Sequence, residues 1–248
     1  MDRSRFVVLI FLFFISFQSL FAQTQKFEDF WDSAQTQKRS KGVYERGMEN
    51  GDWFFWYPSG QLKEEAQYSM GKLNGKDTQY YENGQKSQEG WFIMDVQDSL
   101  MTTWYRNGKI ISQGNYLNGH KYGYWKYFDK KGELYQKEQY DTLGTKTLWH
   151  VKDAAGNVLI RGGNGTLKKY FSNGQIKSIT PYTNGKIKGK FVEFYPSGDT
   201  AAIGYYNGKL KYGEWKNWHL SGEKAMISHY KNDTLNGSLI DYFENGNP

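Results

Sequence analysis

The residues able to do chemistry are few and scattered. The four histidines, His120, His150, His219 and His229, include no close pair at metal-ligand spacing. With no cysteine in the chain, a zinc site would need distant partners. His219 stands where sister segments carry tyrosine or phenylalanine, which marks it as a structural substitute, and His120 stands where others carry a turn lysine. The Gly162-Gly163-Asn164-Gly165 run lacks the lysine and the following helix that a phosphate loop needs. No nucleophile elbow or dinucleotide fingerprint occurs. A Ser-His-Asp site is defined by geometry rather than spacing, so the sequence leaves it open. The expectation is a non-enzyme with no catalytic residue, no metal and no cofactor.

Two residue classes could instead make a binding surface. Lys72, Lys76, Lys121, Lys146, Lys186, Lys188, Lys209 and Lys211, with Lys231, recur near one set of turns. At about 10 Å per hairpin they would form a charged edge up to about 85 Å long, suited to anionic lipid head groups or an acidic polymer. The competing reading is that turn lysines keep the sheet soluble, and Asp77, Asp95 and Asp233 interrupt the series. Trp53, Trp56, Trp104, Trp125, Trp215 and Trp218 are candidates for an aromatic platform that binds a sugar or a partner's strand. Trp53, Phe55 and Tyr57 face one way and Phe54 and Trp56 the other, so mutual stacking along the sheet is the alternative use of these rings.

The elements that must position these residues are set by glycine. Gly60, Gly84, Gly108, Gly132, Gly156, Gly174, Gly198, Gly222 and Gly246 lie 24 residues apart, except for one step of 18. Each closes a phrase such as Tyr57-Pro58-Ser59-Gly60 or Tyr81-Glu82-Asn83-Gly84, and glycine there suits a turn position with positive φ. A second series, Gly51, Gly75, Gly123, Gly165, Gly189, Gly213 and Gly237, with Ser99 and Thr147 in the vacant places, is expected to mark the opposite turns. Between them lie strand-sized aromatic segments such as Gly123-Tyr124-Trp125-Lys126-Tyr127-Phe128. Return segments alternate with period two: Ala66 and Tyr68 share a face, while Lys63 and Glu65 point away. A fixed period of this length means one small unit repeated many times. The expected fold is all-β, an elongated single-layer antiparallel meander of about nine hairpins.

The first 22 residues read as a cleavable export signal: Arg3 and Arg5, an apolar run from Phe6 to Ile15, and cleavage after Ala22. Removing Asp2, Arg3 and Arg5 leaves 30 basic and 25 acidic residues, a net charge of +5. That balance is compatible with an anionic partner but is no nucleic-acid signature. Export without disulfides suits the periplasm or full secretion. Residues 23–46 fit the period poorly and are expected to cap the array with Phe27, Phe30 and Trp31; residues 47–248 form the repeat domain. Near 147–165 the return arm lacks six residues, so a bend or hinge is expected there. The last unit reads as half a hairpin, with a strand edge near Ser238 to Phe243 that Asp241 and Glu244 would guard against pairing.

The phrase Gly123 to Phe128, Gly132-Glu133-Leu134, Tyr140 and Gly144-Thr145-Lys146 closely resembles the bacterial variant of the MORN repeat (membrane occupation and recognition nexus). Gly213-Glu214-Trp215-Lys216-Asn217 resembles the opening of the better-known MORN unit. The resemblance runs over roughly residues 47 to 246, with Ser99, Thr147 and the truncated fifth unit as departures. It implies stacked β-hairpins, roles in scaffolding, dimerisation or lipid-surface association, no shared catalytic residue, and the label of the YwqK-like antitoxin family. The expected function is a non-catalytic exported scaffold binding a partner protein. The alternative is an envelope-surface binder, of anionic lipid through the lysine edge or of cell-wall glycan through an aromatic face.

Overall fold

The computed structural model describes residues 24–248. The expected export signal, residues 1–22, lies outside the described residues. A hairpin of β1 (Thr24–Phe30) and β2 (Lys38–Glu45) leads into β3 (Met48–Trp56), β4 (Leu62–Ser69), β5 (Lys72–Tyr80) and β6 (Lys86–Ile93). Next come β7 (Val96–Trp104), β8 (Ile110–Leu117), β9 (His120–Phe128) and β10 (Leu134–Tyr140). The middle strands are β11 (Lys146–Lys152), β12 (Val158–Arg161) and β13 (Asn164–Tyr170). The series ends with β14 (Ile176–Thr183), β15 (Lys186–Phe194), β16 (Thr200–Asn207), β17 (Leu210–Trp218), β18 (Lys224–Lys231) and β19 (Thr234–Asp241). All nineteen belong to one sheet, and each pairs antiparallel with its neighbour in sequence. Of the expected cap, residues 23–46, residues 24–45 enter this sheet as its first hairpin, with the Phe27 ring 5.7 Å from that of Trp53.

Two kinds of connection define two long edges. On the loop edge, Tyr57 N donates to Gln61 O at 2.8 Å and Gly60 N to Tyr57 O at 2.9 Å, and the same pair of bonds recurs in every later loop of this edge. Gly60 sits at φ 85°, the left-handed position that closes such a three-residue hairpin loop. On the turn edge, two-residue turns such as Met70-Gly71 and Asn118-Gly119 have positive φ at both positions, which matches the right-handed twist of the flanking strands.

The second glycine series is not the opposite turn. Gly51, Gly75, Gly123, Gly189, Gly213 and Gly237 all lie inside strands, with φ between 67° and 129°. There the pairing with the preceding strand slips, as between Lys41↔Phe54 and Val43↔Asn50. They are bulge residues, and Ser99 adopts the same conformation at φ 57°. Turn and bulge both demand a left-handed residue, so a glycine in the sequence does not say which one it serves.

A single-layer sheet has no second layer to bury its side chains, so burial comes from large residues laid over small ones on adjacent strands. The indoles of Trp53, Trp125 and Trp215 cover Gly42, Gly114 and Gly204, where a Cβ would overlap the ring. Met101 covers Gly90 in the same way. Tyr116 and Tyr206 pack edge-on to Trp125 and Trp215, with centroids 5.1 Å apart. Carboxylates enter this row at two places. Asp77 occupies the place that Trp53 and Met101 take in neighbouring units, and Glu138 the place of Gly114.

Candidate functional site: the turn edge and the uncovered face

Most of the expected lysine edge does follow the two-residue turns, but its cations are in two states. Lys76 Nζ pairs with Glu89 at 3.0 Å, and Lys146 Nζ with Glu138 at 2.9 Å. Lys121 Nζ lies 4.1 Å from the Trp125 ring centre and donates to Tyr127 Oη at 2.7 Å. Burial holds Lys121 below the usual lysine range, against the pull of Glu138. Lys211 Nζ lies 4.5 Å from the Trp215 ring centre. These four are folded back over the sheet. Lys72, Lys186, Lys188, Lys209 and Lys231 make no ion pair among the described residues.

The acidic residues of this edge have work of their own. Asp95 Oδ1 accepts from Leu73 N at 2.8 Å and Asp233 Oδ1 from Lys211 N at 2.5 Å, each tying one turn to the previous one. In the first half of the array backbone bonds repeat the link from a turn to the one before: Gly71 N to Glu49 O, Asp95 N to Leu73 O and Gly119 N to Gln97 O, all 2.8–2.9 Å. The loop edge is stitched by side chains. Tyr57, Tyr81, Tyr105 and Tyr195 each donate a hydroxyl to the carbonyl oxygen 23 residues on, at 2.6–3.1 Å. His219 Nε2 makes the equivalent contact with Tyr242 O at 2.8 Å. Asp129, Asp153 and Phe171 hold this place in the middle loops and make no such link.

The six tryptophans divide by face. Trp53, Trp125 and Trp215 are 3%, 2% and 4% exposed, built into the buried row and out of a ligand's reach. Trp56, Trp104 and Trp218 are half-buried. Phe54 stacks beside Trp56 at 6.2 Å, and Lys86 Nζ lies 5.7 Å from the Trp104 ring centre. These belong to the opposite, uncovered face, which also exposes Trp91, Leu100 and Tyr124.

Register exposes a feature of the uncovered face that single segments do not show. Lys126 pairs with Lys137, Lys137 with His150, and His150 with Arg161, on four consecutive strands β9 to β12. Lys126 and Lys137 set like charges directly opposite one another, which is destabilising, yet none of the four side chains has an acidic partner among the described residues. Lys137 Nζ instead lies 3.8 Å from the Tyr124 ring centre. Burial lowers the His150 pKa, and Lys152, Arg161 and Lys137 lower it further. Some other cations of this face are matched, as Lys76 and Lys86 are by Glu89 and Lys216 by Glu214.

On the buried face of the same strands lies Glu138, 3% exposed. It accepts from Lys146 Nζ at 2.9 Å, Tyr140 Oη at 2.8 Å, Tyr127 Oη at 3.0 Å and Gln136 Nε2 at 2.9 Å. Burial pushes its pKa up, but these bonds and the Lys146 charge outweigh it and hold the carboxyl below its usual range. The cluster is a satisfied ion pair rather than a reactive pair. Among the described residues no three His, Asp or Glu side chains converge as a metal-ligand set.

The repeating unit that these contacts outline is an odd-numbered strand, its loop and the next strand. Four such units match a known family: residues 49–70, 97–118, 164–184 and 211–232 match the MORN repeat variant. They cover β3–β4, β7–β8, β13–β14 and β17–β18. No curated protein matches the chain. The chain is therefore an all-β repeat protein in which four hairpins match the MORN repeat variant.

Proposed function

We propose that the protein is a non-catalytic, exported repeat scaffold that binds a partner protein across the uncovered face of its sheet. The observation that carries this is the uncompensated row Lys126, Lys137, His150 and Arg161. With strands about 4.8 Å apart the row spans about 14 Å. An extended segment with acidic residues at i, i+2 and i+4 covers about the same length at 3.4 Å per residue. Exposed Tyr124 and Tyr135 beside the row offer contacts to its apolar residues.

The test is capture from a solubilised envelope extract at physiological salt by the immobilised protein. The wild type should retain one protein near stoichiometry, and Lys126→Glu with Arg161→Glu should lose it. Retention by both forms alike, or of nothing, would reject this reading. A second reading, anionic lipid bound along the turn edge, draws on Lys72, Lys186, Lys188 and Lys209, which make no ion pair among the described residues. In that case lipid alone would be retained, and salt would release it. Glycan retained through salt and lost on replacing Trp56, Trp104 and Trp218 would favour the aromatic platform.

A further inference from the structure

The shortened unit opens a cavity on the buried face. Strand β12 has four residues, so its turn, Gly162-Gly163, stops short of the edge that its neighbours reach. The next turn leans back across it: Gly185 N donates to Gly163 O at 2.9 Å, and Gly185 O accepts from Leu148 N on β11 at 2.8 Å. A side chain on Gly185 would collide with Thr147. On both sides the chain of turn-to-turn bonds is interrupted. The Asp141–Thr145 connection is a three-residue loop closed on itself, and neither Gly144 nor Gly208 donates to the preceding edge among the described residues.

The gap left is a cavity of about 320 Å³ lined by Leu148, Tyr182, Ile187 and three lysines, Lys146, Lys186 and Lys209. Its volume is at the small end of the range for small-molecule sites, and it combines an apolar lining with a few polar groups. Lys146 is spent on Glu138, whereas Lys186 and Lys209 are exposed and make no ion pair among the described residues. The Tyr182 hydroxyl makes no hydrogen bond among the described residues, and burial raises its pKa, so it stands as a neutral donor.

We infer that this cavity binds a small organic carboxylate with an apolar body. The body lies against Leu148, Tyr182 and Ile187, and the carboxylate meets Lys186 and Lys209. A free aromatic acid and the head of a short acyl chain share this chemistry. The site is on the face opposite the Lys126–Arg161 row, since Leu148 pairs with Glu138 and His150 with Lys137. It therefore stands or falls independently of partner capture.

The experiment is a fluorescence titration of the full chain with 1-naphthoate, beside the neutral analogue 1-naphthalenemethanol. Saturable binding at one site is expected. The double variant Lys186→Glu, Lys209→Glu, altered at exposed positions, should weaken naphthoate at least about tenfold. It should leave the neutral analogue within about twofold, since that analogue makes no charge-assisted bond. Leu148→Glu should abolish both, with circular dichroism confirming the sheet. Decanoate as competitor separates the two sources: stronger competition than naphthoate assigns an acyl chain, weaker competition a ring. Non-saturable naphthoate binding, or equal affinity in wild type and double variant, overturns the inference.

Discussion

The hairpins from β3 to β8 and the stretch from the Asp129 loop to the Gly185 turn are made from the same repeat, but they are held differently. In the first region every loop is stitched to the next by a tyrosine hydroxyl, and every turn donates to the turn before it. In the second, Asp129 and Asp153 turn inward to cap their own loops, accepting from Glu133 N and Asn157 N at 2.8–2.9 Å. Phe171 has no hydroxyl to offer. The buried row changes too: Trp125 covers Gly114, whereas 24 residues later Trp149 is half-buried and meets Tyr124 edge-on at 6.3 Å. A repeat array stays regular where each unit grips its neighbours. Where the grip is released, the sheet leaves the cavity on one face and the unmatched cations on the other.

The largest expected effect concerns the two tryptophans. Trp125→Ala should cost about 3–5 kcal/mol, because it empties a fully buried site over a glycine. Trp149→Ala should cost about 2 kcal/mol or less, because its ring is only half-buried. Urea denaturation measures both, and equal losses would break the distinction between the regions.

The next effect uses the two buried carboxyls. Asp77, 1% exposed, is pushed up to about 6 by burial and by Glu64, and its Oδ1 has no hydrogen-bond partner. The folded chain thus keeps a proton that the unfolded chain releases between about pH 4 and 6, so stability falls across that window as pH rises. The loss is about 3 kcal/mol for a shift of about two units. Urea midpoints across this range should show the slope in wild type and lose it in Asp77→Asn. Glu138 acts with the opposite sign. Its lowered pKa contributes stability above the unfolded value, which is lost as pH falls through the folded one. An unchanged slope in Asp77→Asn would assign the titration elsewhere.

The smallest effect tests the stitches. Tyr81→Phe removes the bond to Trp104 O and should cost about 1 kcal/mol. Phe171→Tyr should add the missing bond to Phe194 O and gain up to about 1 kcal/mol. Thermal denaturation compares them. Should Phe171→Tyr gain nothing, the middle loops are displaced and do not merely lack a hydroxyl.

Much of this was legible along the chain. The nine loop glycines lie on a common period, and the alternation of Ala66 and Tyr68 with Glu65 put strand faces in order, because turn geometry and strand pleat are local. His219 could be placed in a tyrosine's position from spacing alone. The role of Gly51 and its relatives was not legible, since bulges and turns impose the same φ on one residue. Of the aspartates that interrupt the lysine series, Asp95 and Asp233 build the turn edge and Asp77 is buried in the sheet, a division that spacing does not reveal. The Lys126–Lys137–His150–Arg161 row was hidden, because its members are 11 to 13 residues apart and meet only through register.

The sequence by itself determined the all-β repeat, its period and the site of its one irregular unit. These follow from the left-handed positions that only glycine fills without strain and from side chains that alternate along a strand. Tertiary structure alone decided which tryptophans are buried, which lysines are spent on Glu138, Glu89 and the indoles, and what the six missing residues leave behind. Those outcomes depend on the neighbour one strand away, and that neighbour is set by the slip at each bulge, which no segment of sequence contains.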